Sequence, residues 1–251
     1  MRSHRATAGP ARGGVGLPSA LPALVTVLVL LLGATACSTD DPVEPETPAS
    51  PTATPNPNPS PSVWTTHGSP AGSRAATVAL LRAGDLPEGY RASPLTEIPT
   101  GTVRPPACRA MIGPATGLLD GSTGQASTAF VGNDLSTAIA HSVGLYATPA
   151  AAVAAVERAR RLGRTCARTV VNGTTFTVTA TDHARAGGAP GVTLEVRQAR
   201  GVGETTVTVD GRLVSVLAIA SRPPGPQIAL VRRADLAVAR RLSEAVIEAG
   251  A

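Results

Sequence analysis

Residues 38–63 read STDDPVEPETPASPTATPNPNPSPSV and consist almost entirely of Pro, Thr, Ser, Ala, Asn and acidic residues. Such a segment has too little apolar surface to fold, and its prolines favour extended backbone of about 3 Å per residue. The pattern therefore predicts a disordered stalk that can hold a domain well away from its point of attachment. The foldable part lies after the stalk, and its roughly 185 residues suffice for one domain with a hydrophobic core.

The segment before the stalk has the features of an export signal. Arg2, Arg5 and Arg12 give it a basic beginning, and residues 21–32 (LPALVTVLVLLL) form an apolar run that ends in small residues. This run is too short for a transmembrane helix, which needs about 20 apolar residues. Residues 1–36 are therefore predicted to be a signal peptide.

Cys37 follows this signal directly. Residues 34–37 (ATAC) resemble the lipobox of bacterial lipoproteins, in which the cysteine thiol receives a diacylglycerol and the chain is cleaved just before it. The resemblance implies that Cys37 is the first mature residue, acylated with chains such as palmitate, and that the protein is anchored to the extracytoplasmic face of the cell membrane. Two acyl chains hold a protein on a membrane, at about 0.8 kcal/mol per buried methylene. The alternative is an ordinary cleaved signal followed by an incidental cysteine.

These features predict three segments: a lipoprotein signal peptide (1–36), a lipidated cysteine with a stalk (37–68) and one domain (69–251). The chain has 22 basic side chains, all of them arginine, against 17 acidic ones. The absence of lysine, with abundant Ala, Gly, Val and Pro, indicates a high-GC genome such as that of an actinobacterium. The arginines are dispersed, aromatic residues make up 2% of the chain, and the chain is exported, so nucleic acid is not expected as a partner.

Only two cysteines, Cys108 and Cys166, lie in the predicted domain. Outside the cytoplasm, two cysteines that remain after lipidation are most simply a disulfide. The spacing does not suit the alternatives, because there is no CxxC motif for redox chemistry and no Cys/His cluster for zinc. We therefore predict a Cys108–Cys166 bridge and no bound metal.

The domain has mixed secondary-structure signals. Thr148 and Pro149 begin an amphipathic helix, since Thr caps helices and Pro suits their first position. Residues 204–209 and 212–220 form a predicted hairpin around Asp210-Gly211, a pair that favours a type I′ turn. The chain ends with a predicted helix over 235–249, with an apolar stripe that includes Leu236. Strands and helices without regular βαβ alternation favour an α+β fold with a mainly antiparallel twisted sheet packed by helices.

The order of these elements resembles the extracellular sensor domain of the mycobacterial kinase PknH and its lipoprotein relatives. In that family a Pro-x-x-Cys helix start precedes strands and an Ala-rich helix, and a second cysteine follows the helix. Here these are PPACRAMIGPA, which contains Cys108, and YATPAAAVAAVERARRLGRTCA, which contains Cys166. The resemblance covers roughly residues 75–249 and implies a sheet-and-helix sandwich with a ligand-binding cleft. It implies no catalytic residue and no cofactor.

Catalytic motifs are absent from the sequence. There is no G-x-S-x-G elbow, no HExxH and no GxxxxGK[ST]. His141 lies in an alternating strand and is interpreted as structural, while Asp182 and His183 end a strand before a Gly-rich loop. No catalytic residue is assigned, and the protein is not expected to be an enzyme.

Three classes of function remain. The anchor, the stalk and a single domain without motifs favour a non-catalytic, sensor-like lipoprotein whose partner is a small molecule, a lipid or a cell-envelope protein. A carrier of lipid or another apolar molecule is the second class, and it predicts a large apolar cavity. A cell-envelope hydrolase is the third, and it requires polar groups that converge in a cleft.

Overall fold

The computed structural model describes residues 64–95, 101–111, 116–184, 190–199, 201–222 and 228–249. The predicted signal peptide, Cys37 and the predicted stalk up to residue 63 lie outside these residues.

In the described residues, ten strands form a single sheet in which every pairing is antiparallel. Their order across the sheet is β1-β4-β5-β10-β9-β8-β7-β6-β3. Strand β2 pairs with the end of β4, along the same edge of β4 as β1. The strands are β1 (Trp64–Gly68), β2 (Tyr90–Ala92), β3 (Val103–Arg104), β4 (Gly124–Gly132), β5 (Thr137–Leu145), β6 (Arg168–Val171), β7 (Thr174–Ala184), β8 (Pro190–Gln198), β9 (Gly201–Asp210) and β10 (Leu213–Ser221).

Three α-helices and three short 3-10 helices accompany the sheet within the part of the chain that the structure describes. The α-helices are α1 (Pro70–Val78), α2 (Pro149–Thr165) and α3 (Ile228–Ala249), and the 3-10 helices are Ala83–Asp85, Pro106–Met111 and Thr116–Leu119. The predicted cap of α2 is confirmed, because the Thr148 side chain accepts a hydrogen bond from the backbone N–H of Ala151 at 3.1 Å and Pro149 occupies the first turn. Such a cap contributes about 1 kcal/mol to helix stability.

The helices cover both faces of the sheet. Helices α1 and α3 pack on one face, over a core that includes Phe130, Ile139 and Leu217. Helix α2 packs on the other face, over a core that includes Val192 and Val207. The single α+β domain with an antiparallel sheet packed by helices, which the sequence predicts, is therefore confirmed.

The sheet begins earlier than the predicted domain boundary at residue 69. Strand β1, Trp64–Gly68, pairs with β4, although the sequence analysis assigns these residues to the stalk. The sequence WTTHG has no alternation of apolar and polar residues, and alternation is the signal by which a strand is usually found. The sheet therefore includes residues that the sequence alone places in the predicted stalk.

The hairpin of β9 and β10 forms with a different turn from the predicted one. Asp210 pairs with Leu213, so that Gly211 and Arg212 form the two-residue loop. Gly211 has φ 54° and Arg212 has no positive φ, which is the pattern of a type II′ turn rather than of type I′. The observed pairing of the two strands is shifted by two residues from the predicted pairing. Because side chains alternate between the two faces of a strand, an even shift leaves each side chain on its predicted face. Both faces are apolar and buried, as expected for a hairpin inside a sheet.

Helix α3 is longer than predicted and buries only part of the predicted apolar stripe. It begins at Ile228 rather than at residue 235, and it faces the core with Leu230, Val238 and Leu242. Leu236, which belongs to the predicted apolar stripe, is instead 69% exposed. The helix carries apolar residues on two sides, and packing against the sheet decides which side is buried.

Candidate functional site

A groove of about 440 Å³ runs between helix α3 and the 3-10 turn Ala83–Asp85. Three arginines and one aspartate supply its charged groups. The residues that line it are Gly84, Asp85, Ala229, Arg232, Arg233, Leu236, Ala237 and Arg240.

Asp85 ends the short turn on one side of the groove, with a side chain only 3% exposed. Leu81 and Leu86, on either side of the turn, are buried in the core and hold it against the domain. The backbone N–H of Arg82 donates a hydrogen bond to Oδ2 of Asp85 at 2.8 Å. The turn thus fixes the carboxylate where it faces α3.

Two arginines of α3 bind this carboxylate. Arg241 donates from Nε to Oδ2 and from Nη2 to Oδ1, each at 3.1 Å, and Arg240 donates from Nη2 to Oδ1 at 2.7 Å. With the N–H of Arg82, each carboxylate oxygen accepts two hydrogen bonds. Asp85 therefore positions the arginines and has little capacity left to act as a general base.

Arg233 and Arg232 keep their charge uncompensated. Arg233 donates from Nε and Nη2 to the backbone carbonyls of Asp85 and Leu86, both at 3.3 Å, and these acceptors carry no formal charge. Arg232 is exposed, and it makes no hydrogen bond or ion pair within the part of the chain that the structure describes. Three arginines line the groove against one carboxylate, so the groove has an excess of positive charge.

The pKa of the Asp85 carboxyl reflects two opposing effects. Burial raises it, but the hydrogen bonds from Arg241 and the Arg82 N–H, with the positive charges of Arg241 and Arg240, outweigh burial and hold the pKa below 3.8. The hydrogen bond to Asp85 in turn raises the pKa of Arg241. The Asp85 carboxylate and the Arg241 guanidinium are therefore charged throughout the physiological range.

The arrangement suits the binding of an anion. Guanidinium groups present planar pairs of N–H donors that match carboxylate and phosphate oxygens. Arg232, Arg233 and Arg240 retain donors that are not used inside the protein, and Leu236 and Ala237 add apolar surface between them. The lining offers donors and charge for binding, and its single carboxylate is already engaged.

His141 lies far from solvent, in the core beneath α1. Its Nδ1 accepts a hydrogen bond from the backbone N–H of Leu81 at 3.0 Å, and its Nε2 lies 2.9 Å from Oγ of Ser215. Because Nδ1 is an acceptor, the proton is on Nε2, which donates to Ser215. A general base that activates a serine needs the opposite arrangement. Both residues are 0% exposed. The structural interpretation of His141 fits this geometry.

Asp182 and His183 lie near the end of strand β7. Asp182 accepts a hydrogen bond from Nε of Arg160 in α2 at 2.6 Å, and it thereby ties strand β7 to that helix. His183 is half-buried at the end of the same strand. Neither residue lines the arginine groove.

Cys108 and Cys166 form the predicted disulfide, with their Cα atoms 5.7 Å apart. Both are fully buried in a small core with Val103, Val171 and Phe176. The bridge ties the 3-10 helix Pro106–Met111 to the end of α2.

Two further features concern the described residues alone. None of their helices has the length and apolar character that a membrane span requires. They contain no group of three or more His, Cys, Asp or Glu side chains that could hold a metal ion.

Known structures identify the fold, although no family model and no curated protein matches the chain. The structure is similar to the extracellular domain of PknH from Mycobacterium tuberculosis, with a TM-score of 0.52, 15% identity, and coverage of 71% of this chain and 98% of that one. The domain has the PknH extracellular fold. An orthologue of Rv0999 from Mycobacterium smegmatis is also similar, at 16% identity, with a TM-score of 0.34 and coverage of 72% of this chain and 99% of that one.

Within this PknH-type fold, the arginine groove is not among the features predicted from the sequence. Those predictions assign no role to Asp85 or to the arginines of α3. A signal was present in residues 232–241 (RRADLAVARR), where two Arg-Arg pairs are separated by eight positions. Positions eight apart lie on adjacent sides of a helix, so both pairs face the same region. Their counter-ion, Asp85, is remote in sequence and has no local signature.

Proposed function

We propose that this protein is a membrane-anchored extracytoplasmic lipoprotein whose PknH-type domain is a non-catalytic, sensor-like binding module. The arginine groove is its recognition site, and the ligand carries at least one anionic group. One observation carries the proposal: Asp85 and Glu244 are the acidic partners of Arg240 and Arg241, whereas Arg232 and Arg233 beside them have no acidic partner among the described residues, so the arginines carry an excess of positive charge. These arginines lie at the surface beside exposed apolar atoms, and their spare N–H donors and positive charge suit an anionic ligand.

The fold and the sequence support the extracytoplasmic setting. The structural neighbour with a TM-score of 0.52 is an extracellular domain, and residues 1–37 have the pattern of a lipoprotein signal ending in Cys37. A disulfide that is buried in the core also suits an oxidising compartment.

The other two classes of function find less support. A lipid carrier requires an enclosed apolar cavity, whereas the groove described above is lined by arginines and is open to solvent. A hydrolase requires a nucleophile with an accessible base, whereas His141 and Ser215 are buried with the proton on the wrong nitrogen.

Calorimetric titration with inorganic pyrophosphate tests the recognition site. The sample is the mature chain with Cys37→Ser, secreted behind a conventional signal peptide so that the disulfide forms. We expect saturable binding. The double variant Arg232→Gln/Arg240→Gln should weaken it at least tenfold, or by about 1.4 kcal/mol, because it removes two charged donors from the groove.

The matched control is Arg161→Gln/Arg164→Gln, which removes the same charge from exposed positions of α2 on the other face of the sheet. It should leave the affinity unchanged. Equal weakening in both double variants, or no binding by the parent chain, would contradict the proposed site.

Cell fractionation tests the anchor. Cys37→Ala in the full chain should move the protein from the membrane fraction to the soluble fraction, because the acyl chains supply the membrane affinity. Full retention of the variant on membranes would contradict the lipid anchor. A Cys108→Ala/Cys166→Ala variant, which keeps Cys37, should remain on the membrane.

A further inference from the structure

The outer side of helix α3 carries an unusual set of exposed apolar side chains. Ile228 is 71% exposed, Leu236 is 69% exposed and Ile247 is 82% exposed. Among the described residues, only one other large hydrophobic side chain is exposed, Val153 of α2 at 40%. Exposed apolar residues are ordinary when they are scattered, but their concentration along one helix calls for an explanation.

These side chains do not belong to the core. Helix α3 already packs against the sheet through a complete inner stripe, made of Leu230, Ala234, Ala237, Val238, Leu242 and Ala245. At 3.6 residues per turn, the outer apolar residues lie on the opposite side of the helix. The helix therefore has two apolar stripes, and the outer one has no partner within the described part of the chain.

The outer stripe is interleaved with positive charge. Starting from Ile228, residues Arg232, Leu236, Arg240 and Ile247 all fall within an arc of roughly 120°. The three acids of Ile228–Ala249, Asp235, Glu244 and Glu248, lie outside the edges of this arc. Glu244, near one edge, forms an ion pair with Arg240 at 3.9 Å, whereas Arg232 has no acidic partner among the described residues. Charge and apolar surface thus share one face, which is complementary to a surface that is both anionic and apolar.

The spacing favours an extended planar partner. Ile228, Leu236 and Ile247 are separated by about 12 Å and about 16 Å along the helix, from the rise of 1.5 Å per residue. Side chains this far apart do not fill one pocket, but each can insert separately between lipid head groups while neighbouring arginines meet the phosphates. This is the arrangement of helices that lie in the plane of a membrane interface.

We propose that the outer face of α3, formed by Ile228, Arg232, Leu236, Arg240 and Ile247, docks on an anionic lipid surface, with lipid phosphates at Arg232 and Arg240 and the three apolar side chains in the interface. The inference rests on the proposed function, because the same arginines line the groove. A lipid anchor at Cys37 keeps the surface within reach, since a flexible stalk gives the tethered domain a high effective concentration at the membrane.

Vesicle flotation tests this docking. The mature chain with Cys37→Ser carries no acyl group, so any binding comes from the protein surface. It is mixed with vesicles of neutral phosphatidylcholine alone or with anionic phosphatidylglycerol added. We expect binding to the anionic vesicles only, and binding that weakens as salt is raised.

Two double variants, each with a control on α2, separate the apolar and charged contributions to vesicle binding. Leu236→Ser/Ile247→Ser and Arg232→Gln/Arg240→Gln should each lower the vesicle affinity at least tenfold. Val153→Ser and Arg161→Gln/Arg164→Gln, which make matching changes on α2, should not. All of these positions are exposed or lie at the surface, and thermal unfolding of each variant verifies the fold.

The outcomes distinguish the two proposals. Pyrophosphate binding without vesicle binding would overturn the docking and leave the proposed recognition site in place. Vesicle binding that is unaffected by Leu236→Ser/Ile247→Ser would also overturn it, because simple charge attraction would then suffice. Failure to bind either pyrophosphate or vesicles would overturn both.

Discussion

The guanidinium of Arg241 holds the carboxylate of Asp85 by two hydrogen bonds of 3.1 Å each. The pair joins the turn after α1 to the last helix of the domain, across a separation of 156 residues. Arg241 is 16% exposed and Asp85 is 3% exposed, so water screens their interaction less than it would screen a pair on an open surface. The ion pair thus ties together the two walls of the groove.

Asp85→Asn should destabilise the domain by about 2 kcal/mol at neutral pH, since it removes charge-assisted hydrogen bonds from a buried position. The pKa of Asp85 in the folded state lies below 3.8, so the stabilisation is complete above that pH and is lost as pH falls through the folded-state pKa. Urea unfolding of wild type and variant should therefore converge in strong acid. Asp120→Asn, at an exposed position, should change little at any pH. If the free energies of unfolding of wild type and Asp85→Asn differed by the same amount at neutral pH and in strong acid, the role of the ionised carboxylate would be contradicted.

His141→Leu should cost about 2–4 kcal/mol, because it leaves the Leu81 N–H and the Ser215 hydroxyl without partners in the core. The double variant His141→Leu/Ser215→Ala should recover part of this loss, since it removes one of the two unpaired groups. His183→Leu, at a half-buried position, serves as the control and should change the free energy of unfolding by less than about 0.5 kcal/mol. Equal losses in the two histidine variants would show that His141 has no special structural role.

Removing the disulfide should lower the free energy of unfolding by about 4 kcal/mol in the chain-entropy model, given the separation of 58 residues between Cys108 and Cys166. Urea unfolding of Cys108→Ala/Cys166→Ala measures this loss. Wild type unfolded in the presence of a reductant should show a similar loss. Two free thiols in oxidised protein, detected by alkylation and intact mass, would contradict the bridge itself.

Glu204→Gln should stabilise the domain at neutral pH. Burial raises the pKa of Glu204, and the nearby carboxylates of Asp235 and Glu195 raise it further. A raised pKa means that the unfolded chain ionises more readily, so ionisation lowers stability as pH rises through the folded-state pKa. The gain from Glu204→Gln should be present at pH 7 and vanish below about 4.5, the usual pKa of the group. Glu88→Gln, at an exposed position, is the control, and a gain that persists in acid would contradict this origin.

Local patterns in the sequence predict the local parts of this fold. The cap at Thr148 and the apolar side chains on both faces of the β9–β10 hairpin depend on residues close together in the chain, and the structure contains both. The predicted turn type was wrong, but each side chain of the hairpin lies on its predicted face of the sheet, because a register change of two residues preserves the alternation of side chains. The disulfide was predictable because the domain has only two cysteines.

Features that depend on distant contacts were not predictable. Leu236 belongs to one of two apolar stripes on α3, and only the position of the sheet decides that the other stripe is buried. The groove depends on a contact between Asp85 and two arginines that lie more than 150 residues further along the chain. No periodicity within either segment encodes that contact.

The position of β10 has a consequence for biosynthesis. It lies between β5 and β9 and pairs with each along nine residues, so it joins β1, β2, β4 and β5 to the remaining strands of the sheet. A ribosome or a translocation channel releases the chain from its N-terminus, and until Ser221 has emerged the edge of β5 lacks its native neighbour. The domain therefore completes its sheet only after β10 has appeared, and a product truncated before Leu213 would expose two unpaired edges to aggregation or proteolysis.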